Sequence, residues 1–582
     1  MNIDITRHSL SHILALAVKR LYGNHIKFGT GPATENGFFY DFEFPEPLAI
    51  TEFPKIQKEM EKIIGEKIPF RKKAMPLSES CEFFKTEEQP YKLEILNNIV
   101  DTEQSPPIPS ESIDVTHYQL EDFEDLCKGP HIKNSGEIKI GSFRLEKIAG
   151  AYWQGNEKNP MLTRISGLAF ADKKALKKFL ADQEKAKTRD HKKIGRELDL
   201  FSFHEESPGF PYWHPKGMVI WNELEKYGKE IRKKYGYQEI QTPMMAKNKL
   251  WITSGHWDHY HNDMFHFEHE KEIFCIKPMD CPFNIKIYQT KPRSYREFPI
   301  RYTEIGRVFR KEKSGELNGL FRVRSITQDD AHIFLREDQV ENEIVILIKM
   351  VKEYCITFGI QPSFFLSTRP DEFMGEEKSW DKAEKNLMNA LKKEKIKYEI
   401  KEKDGAFYGP KIDLDIKDSL GRKWQLSTIQ LDFQLPSRFS LEYTDKDGKK
   451  KTPVMLHAAT FGSLERFIGI FTEHYVGNFP VWLAPVQVKI LSVGDKHVKF
   501  CEKLAEEFRE NDIRVELDFE NETVGKKIRQ GILEKVPCVI VIGDKEVKSN
   551  KLAVRDRDTG KTREIEKKKF IEEVKKKVEN RE

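Results

Sequence analysis

Two short stretches carry residue types that could bind a metal or move a proton. "RHSLSH" places His8 and His12 four apart, and "DLCKGPH" places Cys127 and His131 four apart. On a helix, positions i and i+4 share a face, and imidazole and thiolate are the usual donors to zinc. By spacing alone the two pairs form a candidate four-ligand metal site. Further along, "VFRKEKSGELNGLFRVR" sets Arg310 and Glu312 ahead of a glycine-containing loop, with Arg322 on a returning strand. "GSLERFIGI" puts Arg466 early on an apolar helix, behind Gly462. A guanidinium fork matches phosphate oxygens, and a neighbouring Glu can accept from an adenine amino group or hold another arginine. An arginine on the buried side of a helix needs an anionic partner, and a nucleotide phosphate supplies one.

These residues are scattered over 582 positions, more than one core can hold, so several domains must position them. Hydrophobic residues make up 38% and aromatic residues 11%, enough for packed interiors. No run approaches the ~18 apolar residues of a membrane span. "MNIDITRHSL" lacks the apolar stretch of a signal peptide and the Arg/Ser richness of a transit peptide, which leaves the cytoplasm as the expected location. Seven cysteines without CxxC spacing do not make a disulfide framework. With 98 basic against 94 acidic residues the net charge is only +4, so any RNA must be held by local patches.

Residues 1–181 mix an amphipathic helix from His8 to Tyr22, a turn-rich "GTGPATENGFFYDFEFPEP" and a proline cluster "QSPPIPS", the pattern of an α+β domain. Residues 182–198 fall in a Lys-, Glu- and Ala-rich stretch that reads as one exposed connecting helix. Over 199–483, strand-like runs such as "REFPIRYTEIG", "FRVRSITQDDAHIF" and "KWQLSTIQLDF" alternate with helices without βαβ regularity, which predicts a large antiparallel sheet. There, "QTPMM" sets Pro243 at the end of a strand that follows a long helix. Over 484–582, strand, helix, strand, helix, strand predicts a small α/β domain closed by a Lys-rich terminal helix. The expected fold class is α+β and multidomain.

Taken in order, "QTPMM", the Arg310–Arg322 segment and "GSLERFIGI" resemble motifs 1, 2 and 3 of class II aminoacyl-tRNA synthetases. "CIKPMDCPFN", "VRSITQDDAHIF", "GAFYGPKID" and "LERFIGI" are similar to the threonyl-tRNA synthetase family. The likeness runs over essentially the whole chain, including "GAYWQGNEKNPMLTRISG" and "PVQVKILSVGDK". Several long motifs in one order are far more specific than any single short pattern.

The resemblance implies a class II antiparallel-sheet catalytic domain at 199–483, an editing domain at 1–181 and an anticodon-binding domain at 484–582, in a homodimer paired across motif 1. The implied activity is ligation of threonine to tRNA(Thr) through threonyl-adenylate. It moves the expected metal away from the spacing-derived quartet: Cys281, His332 and His457 would hold one zinc per subunit and leave an open position, with Mg²⁺ accompanying ATP. Asp330 would accept a hydrogen bond from the threonine hydroxyl. Met279, Glu312, Arg322, Gln328, Tyr408, Lys411, Gln425, Thr428, Gln430 and Ser463 would bind threonine or ATP. Arg310 and Arg466 would stabilise phosphate charge, and His256 in "SGHWDHY" would assist transfer.

By analogy with other synthetases, a site built around a hydroxyl rejects valine by ~10⁴-fold or more, whereas serine lacks only a methyl, worth ~1–3 kcal/mol. A second, hydrolytic site is therefore required. By resemblance, His8, His12, Cys127 and His131, with Tyr40, Lys92, Tyr118 and Asp125, line that pocket for Ser-tRNA(Thr) without a metal. A lysine can orient water against the ester while imidazoles relay its proton. Asn521, Lys527, Arg529, Glu546 and Arg555 would face the anticodon, whose unstacked bases polar and cationic side chains can read.

Departures from the family pattern are few. The small ubiquitin-like domain that begins most bacterial members is expected to be missing, because His8 falls so early. Asp280, Asn284, Ser427 and Ala458 stand where Asn, His, Gly and Arg are common, and they are expected to tune pocket shape or tRNA fit. Two rival readings are a stand-alone Ser-tRNA deacylase whose ligase half has decayed and a non-catalytic RNA-binding regulator. Intact Cys281, His332, His457, Arg310 and Arg466 count against both.

Overall fold

The first helix, α1 (Ile3–Tyr22), begins earlier than the expected His8 because Asn2 caps it, its Oδ1 accepting from the Asp4 N–H at 3.0 Å. Leu10, Ile13, Leu14 and Ala17 fall at helical spacing and are fully buried. They meet β1 (Gly37–Glu43), whose Phe38, Tyr40 and Phe42 alternate inward, and α2 (Phe53–Glu66) through Ile56, Met60 and Ile63. Each buried Leu, Ile, Met or Phe side chain among them contributes about 1.5–3 kcal/mol by leaving water. The computed structural model describes residues 2–102, 113–156, 158–418 and 421–582, so the proline cluster at 104–110 lies outside the described residues.

A three-stranded antiparallel sheet follows from β2 (Arg71–Pro76), β3 (Asp114–Leu120) and β4 (Phe123–Leu126), with α3 (Pro90–Thr102) between its first two strands in sequence. Next, β5 (Phe143–Tyr152) and β6 (Met161–Ala169) join β1 in a five-stranded sheet. The chain divides into two units, Met1–Lys185 and Ala186–Glu582, and the boundary falls inside α4 (Lys173–Arg189). The expected single connecting helix is in fact two. Asp190 breaks it by turning its side chain to accept from the Lys192 N–H at 2.7 Å, which starts α5 (His191–Glu197) afresh.

The second unit contains α6 (Pro215–Lys234), β7 (Gln238–Glu239), α7 (Cys281–Tyr288), β8 (Ile300–Phe309), β9 (Ser325–Leu335) and α8 (Val340–Thr357). These are followed by β10 (Pro362–Ser367), α9 (Glu377–Lys393), β11 (Tyr398–Lys401), β12 (Lys411–Lys417), β13 (Lys423–Asp432), β14 (Val454–Ser463) and α10 (Leu464–Tyr475). The strands form an eight-stranded sheet in the order β7-β8-β9-β14-β13-β12-β10-β11. It is antiparallel, as the sequence pattern predicts, except for one parallel pair at each edge, β7 on β8 and β10 on β11. Ile333, Leu335, Leu456, Ile429, Leu431, Ile412 and Leu414 point to one face, where they share a buried core with α8, α9 and α10.

Within the same unit, β15 (Val488–Ser492), α11 (Val498–Arg509), β16 (Val515–Asp518), α12 (Val524–Leu533) and β17 (Cys538–Ile542) follow the expected alternation. A hairpin of β18 (Lys551–Asp556) and β19 (Thr562–Glu566) extends the sheet before α13 (Lys567–Glu579) closes the chain. Among the described residues no helix is long and apolar enough to cross a membrane, and all seven cysteines are free.

Candidate functional site

Successive residues of a strand point to opposite faces, so the face of the large sheet away from its core helices collects a defined set of side chains. On β9 these are Gln328, Asp330 and His332. Asp330 lies opposite Ala459 and His332 opposite His457 on β14, while Gln430 and Thr428 of β13 pair with His457 and Ala459. Two irregularities complete the set. On β13 an extra residue shifts the register so that Gln425 lies opposite Asp415 and returns to this face, donating to Asp413 Oδ1 at 2.7 Å. On β14 the chain bulges between Ala459 and Ser463, which brings Ser463 level with Gln328. Asp329 holds that bulge by accepting from the Thr460 and Phe461 N–H groups at 3.0 and 2.8 Å. Gly462 has φ +67°, and a Cβ there would fall 2.3 Å from the Leu426 carbonyl oxygen, so the turn requires glycine.

The result is a cleft of about 430 Å³ lined by Met279, Cys281, Arg310, Glu312, Arg322, Gln328, Asp330, Gln425, Thr428, Gln430, His457, Ser463 and Arg466. Cys281, the first residue of α7, converges with His332 and His457. Their donor atoms lie within 4.8 Å of one another and all three side chains are buried. Among the described residues, both ring nitrogens of His332 and Nδ1 of His457 find no hydrogen-bond partner. His457 Nε2 bonds to Asp432 Oδ2 at 2.9 Å. One thiol and two imidazoles, with a carboxylate orienting one ring from behind, fit a zinc site with three protein ligands. Burial pushes the Cys281 thiol well up, and only a bound cation would hold it as thiolate.

Arg310, Glu312 and Arg322 lie in the loop between β8 and β9 rather than on the strands the sequence suggested, because β8 ends at Phe309 and β9 begins at Ser325. Arg322 pairs with Glu312 at 2.8 Å and Glu316 at 2.7 Å. Ser463 caps α10 by accepting from the Arg466 N–H at 3.2 Å. Burial, and then Arg310 and Arg322, push the Arg466 guanidinium down from its ordinary value. Like charges crowded in a cleft are stabilised by an anion.

Tyr408 donates to Gln430 Oε1 at 2.6 Å, its ring 5.4 Å from that of His457. Lys411 pairs with Asp413 at 2.8 Å beside the cleft. His256 differs from expectation. It is fully buried, with Nε2 against Met279 Sδ at 3.0 Å and Nδ1 against Ser254 Oγ at 2.8 Å, and burial and neighbouring His457 push it down to about 3. It backs Met279 as a neutral ring instead of lining the cleft.

The unusual residues have defined partners. Asp280 pairs with buried Lys277 at 2.6 Å, and Asn284 donates to Glu304 at 3.1 Å. Ser427 donates to the Ala459 carbonyl at 2.7 Å. Behind Ala458, Arg232 of α6 supplies a buried guanidinium, which donates to Ala458 O at 3.2 Å, Thr460 Oγ1 at 2.9 Å and Asp329 O at 2.9 Å. Sequence reasoning missed Arg232, Lys277, Glu304 and Asp432. Asp432, Lys277 and Glu304 sit within the runs "KWQLSTIQLDF", "CIKPMDCPFN" and "REFPIRYTEIG", whereas nothing in local spacing marks Arg232.

In the first unit, α1 presents His8 and His12 on one face as expected, and the loop after β4 returns Cys127 and His131 to them. Cys127 Sγ lies 3.3 Å from His8 Nε2 and from His131 Nε2. The His131 ring is 4.2 Å from His8, 4.3 Å from His12 and 4.5 Å from Tyr118. Lys92 of α3 forms a buried ion pair with Asp125 and donates to Tyr40 Oη at 3.1 Å, while Tyr40 donates to Asp125 Oδ2 at 2.6 Å. Burial, then His12 and His8, push His131 down to about 2, and burial raises Cys127 to about 11. The quartet is thus a set of neutral groups beside a buried Lys92–Asp125 pair.

In the C-terminal domain Asn521 and Arg529 are exposed, and Arg555 and Glu546 are half-buried. Glu546 is occupied by the Gly543 N–H at 3.0 Å. Lys527 departs from its expected outward role, being buried and donating to the carbonyls of Ser492 and Asp518 at 3.2 and 3.4 Å. Its position on the inner face of α12 aims the ammonium into the fold.

Comparison with known proteins matches each part of this architecture. A family described as "tRNA synthetase class II core domain (G, H, P, S and T)" matches residues 265–475, "Anticodon binding domain" matches 487–577, and "Threonyl and Alanyl tRNA synthetase second additional domain" matches 115–166. The threonine–tRNA ligase of Acetivibrio thermocellus is 47% identical over 579 residues, covering 100% of this chain and 89% of its own. That of Desulforamulus reducens is 46% identical over 577 residues, covering 99% and 89%. The crystal structure of the RNA binding domain of threonyl-tRNA synthetase from Cryptosporidium parvum aligns with a TM-score of 0.65 at 37% identity, over 66% of this chain and 98% of that one. The chain belongs to the threonine–tRNA ligase family, class II aminoacyl-tRNA synthetases that use ATP to join threonine to its tRNA.

Proposed function

We propose that threonine is activated in the cleft between β9, β13 and β14, with one zinc ion per subunit held by Cys281, His332 and His457 and with Mg²⁺ accompanying ATP. The observation that carries this reading is the convergence of three buried donors in the same cleft that Arg310, Arg322 and Arg466 line. When bound, the zinc supplies a Lewis acid for the amino and hydroxyl groups of threonine. Asp330, two residues before His332 on the same face, accepts from the hydroxyl, and a side chain lacking that hydroxyl leaves it unpaired. The threonine carboxylate attacks the α-phosphorus of ATP, forming the acyl phosphate bond as the bond to the pyrophosphate leaving group breaks. Arg310 and Arg466 stabilise the charge that spreads over the phosphoryl oxygens, which is electrostatic work rather than covalent catalysis. The terminal ribose hydroxyl of tRNA(Thr) then takes the acyl group.

We assign residues 1–181 to editing of Ser-tRNA(Thr), 182–198 to the connection, 199–483 to catalysis and 484–582 to anticodon binding by Asn521, Arg529, Glu546 and Arg555. The setting is cytoplasmic. A homodimer forms across the edge made by α6 and β7, where an open cavity of about 640 Å³ lined by Lys226, Lys229, Tyr237 and Glu239 supports a partner surface. Sedimentation at micromolar concentration should give twice the 68.2 kDa chain mass. The central test is elemental analysis with threonine-dependent ATP–pyrophosphate exchange. Cys281→Ala and His332→Ala should each lose the zinc and the exchange, and full zinc content in both would overturn the assignment.

A further inference from the structure

His191 opens α5, outside the cleft, yet it is buried and both of its ring nitrogens are committed. Nδ1 bonds to Glu473 Oε1 at 2.8 Å, the same oxygen that accepts from the His191 backbone N–H at 3.1 Å. Nε2 accepts from the backbone N–H of Leu320 at 3.0 Å. A backbone donor on Nε2 requires the proton to sit on Nδ1, so the ring is the neutral tautomer that donates to Glu473. With no nitrogen left over, the grouping of Asp190, His191 and Glu473 is not a metal site.

Each partner of this imidazole leads to the nucleotide arginines. Leu320 belongs to the loop between β8 and β9, two residues before Arg322. The next residue, Phe321, packs its ring 4.1 Å from the imidazole, and its carbonyl accepts from Arg466 Nε at 3.1 Å. On the other side of Leu320, Gly319 runs so close that a Cβ would lie 2.3 Å from His191 Nε2. Glu473 stands two turns after Arg466 on α10, and its second oxygen is held by Arg422. One imidazole therefore fastens the connecting helix, the loop and α10 at a single buried point.

We propose that His191 is a positioning residue for ATP, setting the loop that carries Arg322 and, through the Phe321 carbonyl, the guanidinium of Arg466. The proposal rests on the reading that these arginines hold the nucleotide. Its test is pyrophosphate exchange by the full chain, with ATP and threonine varied separately. His191→Asn keeps a donor near the Nδ1 position but has no acceptor at Nε2, whereas His191→Gln places an acceptor there. Loss of one neutral hydrogen bond should raise the KM for ATP in H191N by about 2- to 10-fold, with the KM for threonine unchanged, and H191Q should restore it. Gly319→Ala, which drives a methyl into the ring while His191 stays, should raise the ATP constant in the same way. Unchanged ATP KM in H191N overturns the proposal. So does a parallel shift of both constants with the thermal midpoint in H191N and G319A, which would mean a structural role only. Arg466→Ala separates the two readings. A raised ATP KM there beside a normal one in H191N keeps the nucleotide assignment and removes His191, whereas a normal ATP KM in R466A removes the nucleotide assignment itself.

Discussion

His332 and His457 stand directly opposite each other on adjacent antiparallel strands, with ring centroids 4.9 Å apart. The register of the sheet, not a loop, sets their separation, and a slip of either strand by one residue would turn its histidine to the other face. Asp432 ends β13 two residues beyond Gln430, the cross-strand partner of His457, and accepts from His457 Nε2. This carboxylate fixes which nitrogen of His457 faces the other two donors.

Replacing Asp432 by Asn should therefore weaken zinc without removing a ligand. Partners of this kind are worth about 10–100-fold in metal affinity. Competition of the purified variant against a chromophoric chelator reads the effect, and wild-type affinity would show that the His457–Asp432 bond does not orient the site. Asp432 also caps the turn after β13 by accepting from the Gln434 and Leu435 N–H groups. Asn keeps an acceptor for that role, so the fold should be retained.

A second prediction concerns stability behind the sheet. The Arg232 guanidinium and Asp329 are both almost fully buried, 3.4 Å apart, and the two together hold the β14 bulge. Arg232→Leu leaves the Asp329 carboxylate without its cation. Breaking one side of a buried pair costs about 3–5 kcal/mol. Chemical denaturation should show a loss of that size in the second unit, and a change below about 1 kcal/mol would mean that the backbone donors of Thr460 and Phe461 satisfy Asp329 unaided.

How much of this was legible in the sequence depends on distance along the chain. The i, i+4 pairs His8/His12 and Cys127/His131 could be read from helical spacing, and they do converge, whereas only resemblance to a family pointed to Cys281, His332 and His457 as a second convergent group. Those three are far apart in sequence and meet through strand register, which no local pattern encodes. The large antiparallel sheet was legible because its strands alternate. Its two parallel edges were not, being short segments whose partners depend on the whole topology. The break at Asp190 carried a readable capping signal, Asp just before a new helical run, that the Lys-rich composition around it masked. The burial of Lys527 and His256 was not legible: a polar residue in a matched motif was expected to face a substrate, and the inward contacts each makes come from residues remote in sequence.

The first unit should be acid-sensitive. His12 and His131 are pushed below their ordinary value of 6.5, chiefly by burial, His131 to about 2. Because the folded values lie below the unfolded ones, the unfolded chain takes up more protons as pH falls below 6.5. The stability these groups contribute is complete above 6.5 and lost progressively toward the folded values. Hydrogen exchange of α1 should show faster opening at pH 5 than at pH 7, and His131→Gln should flatten that difference. An equal pH dependence in wild type and variant would mean that His131 titrates alike in both states.

The last prediction is that the two chemistries separate. The proposed zinc site would distinguish threonine from serine only by a methyl, worth about 1–3 kcal/mol, so fidelity beyond roughly 10- to 200-fold would have to come from the first unit. There the Lys92 ammonium is held against Asp125 and Tyr40 beside the histidines. Lys92→Met removes the ammonium proposed to orient water on the ester while keeping the length of the side chain. It should leave threonine-dependent pyrophosphate exchange intact and abolish hydrolysis of supplied Ser-tRNA(Thr), so that serine accumulates on the tRNA. His332→Ala should do the reverse, losing exchange but clearing Ser-tRNA at the normal rate. The paired assay decides: loss of both activities in either folded variant would show the sites to be coupled, and normal serine clearance by K92M, with its stability intact, would remove Lys92 from the editing chemistry.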